Sequence, residues 1–360
     1  MQDKDRQAPA SPIPVTLVTG FLGSGKTTLL NSLVGHSAMG RALVLINEFG
    51  EVGLDHDLMM RSAEDVVVEM SSGCLCCTIR SDLVETLRDA PWRFARGGKP
   101  LFDRVVIETT GLADPAPILY TLLEDPVIAR TYRLDGVITL VDAATGLETL
   151  DRQDEAVKQV VVADKLILTK LDLVQPADAA ALEARLDALN PGVPMLRAAY
   201  GRIDPAIILN AGLYDPKSKS AEVETWLNAE AAAHSKPHDH SHHHHDVNRH
   251  GPDIKAVCLI SDEPMTQAAF VRWYKFLTIL KGPDLLRVKG LINIRGTDGP
   301  LVLHSVQHVL HPPVQLEHWP SDDKRTRIVL IGKDLDEADL TSMLENMTAP
   351  PPRHDQPAAL

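Results

Sequence analysis

The chain has 360 residues, which is enough for two domains that each bury a core of their own. Hydrophobic residues make up 44% and charged residues 24%, as in an ordinary soluble globular protein, whereas aromatic residues reach only 4%, so aliphatic side chains must fill the cores. The formal net charge of −13 argues against nucleic acid or anionic membranes as partners, because both repel an acidic surface, but it leaves room for a local cationic pocket.

The N-terminal segment is not expected to be a secretory signal. Residues 1–14 mix acidic, basic and proline residues without an apolar core, unlike a secretory signal, and we expect residues 1–12 to be disordered. The sequence contains no run of about 18 apolar residues, the length that a membrane span requires. We therefore expect a cytoplasmic protein whose cysteines stay reduced.

Apolar strands alternate with helices through the first half of the chain. Strands are predicted at Val15–Thr19, Ala42–Ile46, Val66–Glu69, Arg104–Glu108, Gly136–Val141 and Lys165–Thr169. Helical patterns occupy Lys26–Val34, Asp82–Asp89 and Asp178–Leu189. Because the strands are continuously apolar, they are predicted to be buried on both faces of a mostly parallel sheet. We expect an α/β domain over residues 13–212.

A linker and a smaller domain are predicted next. Residues 213–252 combine a helical stretch, Ala221–Ala233, with a histidine-rich run that cannot bury a hydrophobic face. Beyond them the pattern predicts strands and helices of a small α+β domain over residues 253–348, followed by a disordered, proline-rich tail over residues 349–360. The predicted strands are Ile254–Ser261, Leu285–Ile294, Leu301–Leu310 and Thr326–Ile331, and the predicted helices are Thr266–Lys281 and Glu337–Met347.

A phosphate-binding loop follows the first strand. The segment from Gly20 to Thr27 matches G-x-x-x-x-G-K-[ST] between a strand and a helix, the context that this motif requires. Its glycines let backbone N–H groups surround phosphate oxygens, Lys26 is expected to reach the β- and γ-phosphates, and the Thr27 hydroxyl is expected to bind Mg²⁺. The predicted phosphate-binding residues are Gly20, Gly23, Ser24, Gly25, Lys26, Thr27 and Thr28. This makes the first domain a P-loop NTPase domain.

An acidic residue is expected to complete the magnesium site. Glu108 ends an apolar strand, and strand ends in such sheets open towards the ligand. Glu108 therefore fits a Walker B role beside Lys26 and Thr27 in catalysis, and the backbone of Gly111 is expected to meet the γ-phosphate. The alternative for Glu108 is a solvated carboxylate at a strand end.

The choice of base is predicted from Thr169, Lys170 and Asp172. An aspartate at the end of a strand can accept hydrogen bonds from guanine N1–H and N2–H₂, which adenine does not offer, and the lysine stem can lie over the base. Guanine-binding proteins usually have asparagine where this chain has Thr169, so the loss of the amide puts strict GTP selectivity in question. The alternative is a lysine–aspartate pair that simply starts a helix.

Three of the four cysteines lie within four residues, as Cys74, Cys76 and Cys77. Disulfides do not explain such a cluster, whereas three thiolates in one loop can bind a soft cation such as Zn²⁺. Three ligands leave a coordination position for a transient fourth one, as transfer of a metal requires. Buried inert cysteines or a redox pair are the alternatives.

Four motifs in order resemble those of the CobW-type metallochaperone GTPases. They are the segments Gly20–Leu30, Asn47–Asp55, Gly73–Cys77 and Glu108–Pro115. The resemblance extends over nearly the whole chain, including the histidine-rich linker and the small C-terminal domain. The combination of the phosphate loop with Cys-x-Cys-Cys is specific, although neither motif alone is.

Membership in this family implies GTP hydrolysis coupled to delivery of a metal, commonly zinc, to an apo-form client metalloprotein. The resemblance also makes Asn47–Asp55 a mobile switch beside the nucleotide. From their charge, Glu48, Glu51 or Asp55 would contact Mg²⁺ or extend the metal site, and a solvated surface loop is the alternative. Some members of the family are linked to cobalt in cobalamin synthesis, so Co²⁺ or Ni²⁺ is an alternative metal for delivery. A homodimer is a further expectation, because related GTPases often pair. The sequence does not identify the client.

Histidines give weaker signals. Eight of the fifteen lie between His234 and His250, where they are expected to form a multivalent metal reservoir or a passive linker. His304, His308 and His311 are more typical of structural or surface groups, and Cys258 is predicted to be a small core residue. Two other interpretations of the whole chain remain open: a metal-storage or sensing protein with a nucleotide switch, and a P-loop kinase or ATPase with an incidental cysteine loop.

Overall fold

The computed structural model describes residues 11–34, 36, 39, 41–48, 66–71, 77–96, 99–209, 254–281, 284–306, 309–310 and 313–348. The chain forms two compact units, residues 1–253 and residues 254–360. None of the helices in these described ranges is both long and apolar enough to cross a membrane. The predicted helix Ala221–Ala233 and the histidine-rich run lie outside the described residues.

The first unit alternates strands and helices along the chain. Its strands are β1 (Ile13–Gly20), β2 (Ala42–Glu48), β3 (Val66–Ser71), β4 (Ala95–Arg96), β5 (Lys99–Pro100), β6 (Arg104–Glu108), β7 (Tyr132–Asp142), β8 (Lys165–Thr169) and β9 (Met195–Arg197). Its helices are α1 (Lys26–Val34), α2 (Cys77–Arg93), α3 (Ala116–Glu124), α4 (Ile128–Thr131), α5 (Gly146–Arg152), α6 (Asp154–Val161), α7 (Pro176–Leu189) and α8 (Pro205–Ile208).

Seven of these strands form one sheet in the order β3-β2-β6-β1-β7-β8-β9, and every pairing in it is parallel. Parallel neighbours need crossover connections, and the helices supply them. The central strand β1 has Val15, Leu17 and Val18 fully buried, as expected for a strand covered on both faces. The predicted P-loop NTPase domain with a mostly parallel sheet is confirmed.

Helix α1 is fixed in place by its apolar face. Leu29, Leu30 and Leu33 recur at helical spacing and are buried in one cluster with Val18 of β1 and Ile138 of β7. This packing holds the helix against the sheet, so the first turn of α1 stays at the end of β1.

A buried amide holds the end of α6. The Asn190 Nδ2 group donates to Val160 O at 2.9 Å, Val161 O at 3.2 Å and Ala163 O at 2.9 Å. The last carbonyls of a helix lack the usual partners one turn further on, so this side chain supplies them with additional buried hydrogen bonds. Asn190 is 1% exposed. It ties α6 to the end of α7.

The second unit is a six-stranded antiparallel sheet with two helices. Its strands are β10 (Ile254–Ser261), β11 (Leu285–Ile292), β12 (Leu301–Val306), β13 (Val309–Leu310), β14 (Val314–Gln315) and β15 (Thr326–Lys333), and its helices are α9 (Gln267–Lys281) and α10 (Glu337–Thr348). The strand order is β10-β15-β11-β12-β13, and β14 also pairs with β12. Trp273 of α9 and Leu340 of α10 are buried in one core with Leu259, Val288 and Leu330 of the sheet. The predicted small α+β domain is confirmed.

One predicted strand is wrong. The segment Leu301–Leu310, expected to be a single strand, divides into β12 and β13, which pair antiparallel with Val306 opposite Val309. Only Gln307 and His308 connect the two strands, and neither is glycine, asparagine or aspartate. The chain therefore reverses without the residues that usually reveal a hairpin turn.

Replacing Asn190 with leucine is expected to destabilise the first unit. The substitution removes three buried hydrogen bonds, those to Val160 O, Val161 O and Ala163 O, so the free energy of unfolding should fall by about 1–3 kcal/mol. Urea unfolding of full-length wild type and Asn190→Leu measures this difference. Gln153→Leu, at an exposed position before α6, is the control and should change stability little. Equal stability of Asn190→Leu and wild type would contradict the proposed capping.

Candidate functional site

The loop after β1 has the backbone of a phosphate cradle. Gly20, Gly23 and Gly25 have φ of 144°, 73° and 95°, in a region that residues with side chains rarely occupy. A Cβ at Gly20 would lie 2.5 Å from Leu140 O, so no larger residue fits between β1 and β7 there. Helix α1 begins at Lys26, so its N-terminus faces the loop.

Lys26 is held at this loop. Its side chain is 8% exposed, and Nζ donates to Gly20 O at 2.8 Å and to Phe21 O at 3.1 Å. The ammonium group therefore adds a positive charge to a loop whose N–H groups already favour an anion. Thr27 is half-buried and Thr28 is exposed in the first turn of α1. Their individual roles stay predictions.

Glu108 lies at the same edge of the sheet. In the register of the sheet it is opposite Val18 of β1 on one side and Ile46 of β2 on the other, and it is only 5% exposed. A carboxylate and a threonine hydroxyl are hard oxygen ligands of the kind that Mg²⁺ prefers. The donor types at Thr27 and Glu108 therefore fit a magnesium site.

The loop after β6 contacts the phosphate loop through Gly111. A Cβ at Gly111 would lie 2.7 Å from Leu22 N and 2.8 Å from Leu22 Cα, so the two backbones are too close for any side chain. The neighbouring carbonyl, Thr110 O, accepts from Ala113 N at 3.1 Å and from Thr109 Oγ1 at 3.2 Å. In a trans peptide the next N–H points away from the carbonyl. These bonds therefore fix the direction of Gly111 N–H.

Thr169 reaches the phosphate loop as well. Its Oγ1 donates to Ser24 O at 2.8 Å, and the side chain is 6% exposed. The hydroxyl thus links the end of β8 to the loop after β1. This contact gives a physical reason for threonine at a position where asparagine was expected: the link to the loop needs one donor, which a hydroxyl supplies.

Lys170 and Asp172 follow Thr169 in a turn. Lys170 adopts a left-handed conformation with φ 56°, and its Nζ donates to Asp142 Oδ2 at 2.7 Å. Asp172 lies exposed in a short 3-10 turn, Leu171–Leu173. An exposed carboxylate after the strand end is available to a ligand, and the ion pair fixes the stem of the lysine beside it.

Asp142 was missed by the sequence interpretation. It ends β7, and its second oxygen, Oδ1, accepts from Ala144 N at 2.8 Å, so the carboxylate is fixed before it meets Lys170. The available signal was an acidic residue at the end of an apolar strand, the same signal that identified Glu108. Its neighbour in the sheet, β8, delivers Lys170, which is why the two side chains meet.

The cysteine motif is only partly within the described residues. Cys74 and Cys76 lie outside them, and Cys77 is described only as the first residue of α2. Glu51 and the rest of the predicted switch after Glu48 also lie outside, as do His234–His250, His308 and His311. His304 lies in β12 opposite Lys289, and Cys258 is half-buried in β10. Within the part of the chain that the structure describes, no three His, Cys, Asp or Glu side chains converge as a metal site.

The sheet nevertheless fixes where the cysteine segment starts. Strand β3 ends at Ser71 opposite Glu48 of β2, and β2 in turn pairs with β6, which pairs with β1. All four strands run parallel, so their C-terminal ends lie on the same side of the sheet. Three strand spacings separate β3 from β1, or about 14 Å. Strand β2, which ends at Glu48, lies between β3 and β6.

Two family models match the chain. The model described as CobW/HypB/UreG, nucleotide-binding domain matches residues 14–197, and the model described as Cobalamin synthesis protein cobW C-terminal domain matches residues 254–348. The first covers the seven-stranded sheet and the second the antiparallel sheet.

Named relatives agree with both models. The zinc chaperone YjiA of Escherichia coli (strain K12) is 32% identical over 330 residues, which cover 92% of this chain and 97% of the relative. The zinc chaperone CobW of a Sinorhizobium species is 28% identical, covering 91% and 94%. A crystal structure of Zn(II)-bound YjiA GTPase from E. coli superposes with a TM-score of 0.69 at 29% identity, covering 94% of this chain and 99% of the other.

These matches extend across both units rather than over the phosphate loop alone. The resemblance predicted from the four motifs is therefore confirmed. The chain belongs to the CobW/HypB/UreG family of P-loop GTPases.

Proposed function

We propose that this protein is a GTP-hydrolysing metallochaperone that binds Zn²⁺ at Cys74, Cys76 and Cys77 and transfers it to an apo-metalloprotein. The relatives named as zinc chaperones match more than 90% of the chain, which supports a shared function. The observation that carries the proposal is the strand order β3-β2-β6-β1. Strand β3, which precedes the cysteines, ends at Ser71 on the same side of the sheet as β1, and this supports a coupling between the nucleotide and the cysteine segment.

The nucleotide half of the proposal is supported by the loop geometry. The cradle after β1, the ammonium of Lys26 and the N-terminus of α1 all favour a polyphosphate. In this proposal, Thr27 and Glu108 would hold Mg²⁺, whose charge would stabilise the negative phosphoryl oxygens during hydrolysis. Gly111 N–H would donate to the γ-phosphate, a group that GDP lacks.

Within the nucleotide half, the choice of guanine over adenine is supported by the residues after β8. The Asp142 carboxylate keeps the Lys170 stem in one direction, and Asp172 is exposed to accept from guanine N1–H and N2–H₂. Adenine would leave that carboxylate without donors and would present an amino group elsewhere on its edge. GTP is therefore the proposed substrate rather than ATP.

The metal half of the proposal rests on the chemistry of thiolates. Zn²⁺ binds cysteine sulfur strongly, and a site with three protein ligands keeps a position for a ligand from the client. Soft thiolates do not by themselves select Zn²⁺ over Co²⁺ or Ni²⁺, so the named relatives support the choice of zinc. We propose that the histidine-rich segment around His234–His250 supplies metal to these thiolates and that residues 213–252 link the two domains.

The proposed cycle couples the two halves through the Asn47–Asp55 segment. The γ-phosphate would order this segment, which follows the strand between β3 and β6, and favour the state that docks the client. Hydrolysis would release the segment and alter the geometry of the neighbouring cysteine loop. The metal would then leave for the client, because its coordination in the chaperone has become less favourable.

Thr169→Val is expected to weaken GDP binding by about tenfold. Valine has the same shape as threonine but cannot donate to Ser24 O, so the phosphate loop loses a buried hydrogen bond. Titration of fluorescent GDP measures the change. Thr169→Ser, which keeps the hydroxyl, is the matched control and should bind within about twofold of wild type. If Thr169→Val bound GDP as tightly as Thr169→Ser, the hydrogen bond from Thr169 to Ser24 O would have no role in nucleotide binding.

Asp172→Asn is expected to lower the affinity for GDP by at least about tenfold and to raise the affinity for xanthosine diphosphate. Asparagine places an NH₂ donor where the carboxylate accepted, and the xanthine base presents a carbonyl at that position. Competition binding with GDP, xanthosine diphosphate and ADP measures the change. A preference for ADP in wild type that Asp172→Asn leaves unaltered would favour a P-loop ATPase or kinase instead.

Cys76→Ala is expected to reduce Zn²⁺ affinity by at least about tenfold, because only two of three thiolates remain. Equilibrium dialysis compares the variant with wild type, each with a GTP analogue or GDP bound. Cys258→Ala, outside the motif, is the matched control and should bind as wild type does. Equal affinity of Cys76→Ala and wild type would refute the metal site. Zn²⁺ affinity that is the same with the GTP analogue and with GDP would refute the proposed coupling between nucleotide and metal.

A further inference from the structure

Two adjacent residues of α6 hold the loop that follows Glu108. Gln159 is completely buried, and its Nε2 group donates to Gly111 O at 3.2 Å and to Ala113 O at 2.9 Å. Lys158 Nζ lies 2.9 Å from Asp114 Oδ2. Helix α6 lies 44 to 48 residues further along the chain, so these contacts are tertiary and not part of a local turn.

The Gln159 side chain acts here as a donor. Its Oε1 atom is buried and has no hydrogen-bond partner among the described residues, whereas both acceptors of Nε2 are backbone carbonyls of the loop. A buried amide oxygen without a hydrogen bond costs free energy, so the two bonds that Nε2 donates must offset the burial of this side chain. The two bonds turn both carbonyls of the loop towards α6.

Gln159 is itself fixed to the centre of the sheet. Thr139 Oγ1 of β7 donates to Gln159 O at 2.7 Å, and Asn190 holds the last carbonyls of the same helix. Ala156, Val157 and Val160 are buried on either side of Gln159. The amide therefore projects from a helix that is held by hydrogen bonds from Thr139 and Asn190 and by its buried apolar face.

Lys158 and Asp114 form the more exposed half of this contact, with side chains that are 27% and 29% exposed. Burial lowers the pKa of Lys158, but the hydrogen bond with Asp114 and the charges of Asp114, Glu155 and Asp154 outweigh it and raise the pKa above its ordinary value. Lysine is therefore charged at neutral pH, and the pair is an ion pair.

We propose that Gln159 and Lys158 are positioning residues that hold Gly111–Asp114 against the phosphate loop, so that Gly111 N–H meets the γ-phosphate of GTP. This inference rests on the proposed GTP hydrolysis. Gly111 has no room to approach Leu22 more closely, so α6 on one side and Leu22 on the other confine the loop to one position. GDP has no γ-phosphate, so the two residues affect the triphosphate selectively.

Gln159→Met tests the inference in the full-length protein, because methionine keeps the length of glutamine but removes both donors. We expect kcat for GTP to fall about tenfold and the affinity for GTPγS to fall by a similar factor, while GDP affinity stays within about twofold. Lys158→Met should lower kcat by only about two- to threefold, because its ion pair is partly exposed.

A matched control separates positioning from stability. Asn190→Leu weakens the same C-terminal end of α6 without removing either bond from Gln159 to the loop, so it should lower the unfolding midpoint and leave the ratio of GTPγS to GDP affinity unchanged. If Gln159→Met retained the wild-type kcat and affinity ratio, or if Asn190→Leu altered that ratio equally, the inference would be overturned.

The wild-type protein distinguishes this failure from that of the proposed function. Absence of GTP hydrolysis in wild type, with or without client and metal, would refute the proposed function. The GTPγS-to-GDP affinity ratio of Gln159→Met would still decide whether α6 positions the loop. Should Gln159→Met fail to fold, the same ratio measured for the half-exposed Lys158→Met decides, with an unchanged ratio overturning the inference.

Discussion

The approach of two backbones, at Leu22 and Gly111, is the constraint on which the nucleotide site depends. A single added carbon at Gly111 would overlap the phosphate loop, so neither loop can be placed without the other. The phosphate loop is bounded on its other side by Thr169, which donates to Ser24 O. Three strand ends, those of β1, β6 and β8, thus define one rigid cradle, and the packing of α1 holds it to the sheet.

The electrostatics of the cradle follow from this arrangement. Lys26 supplies a buried positive charge, and Glu108 supplies a buried negative group on the neighbouring strand. The chain as a whole carries a formal charge of −13, so binding of a polyphosphate depends on these local donors and not on the long-range field. In the proposed function, Glu108 would help to hold Mg²⁺, whose charge would offset the repulsion that the carboxylate otherwise adds.

Much of this organisation could be predicted from the sequence, because it depends on local patterns. The strand–glycine loop–helix context located the cradle, and continuous apolarity indicated the buried parallel sheet. The β12–β13 hairpin was missed because Gln307 and His308 carry no turn signal. Asp142 and Gln159 were missed for another reason: their partners, Lys170 and Gly111, lie 28 and 48 residues away, so the contacts arise only from tertiary structure. The roles of Cys74, Cys76 and Glu51 remain predictions.

The position of β3 allows the strand before the cysteines to change without disturbing the strand before the phosphate loop. Among the described strands of the first unit, β3 is at one edge of the sheet and pairs only with β2, whereas β1 pairs on both sides. Detaching an edge strand breaks one ladder of hydrogen bonds, and detaching a central strand breaks two. The strand that leads to the cysteines can therefore detach locally while the phosphate cradle keeps its shape.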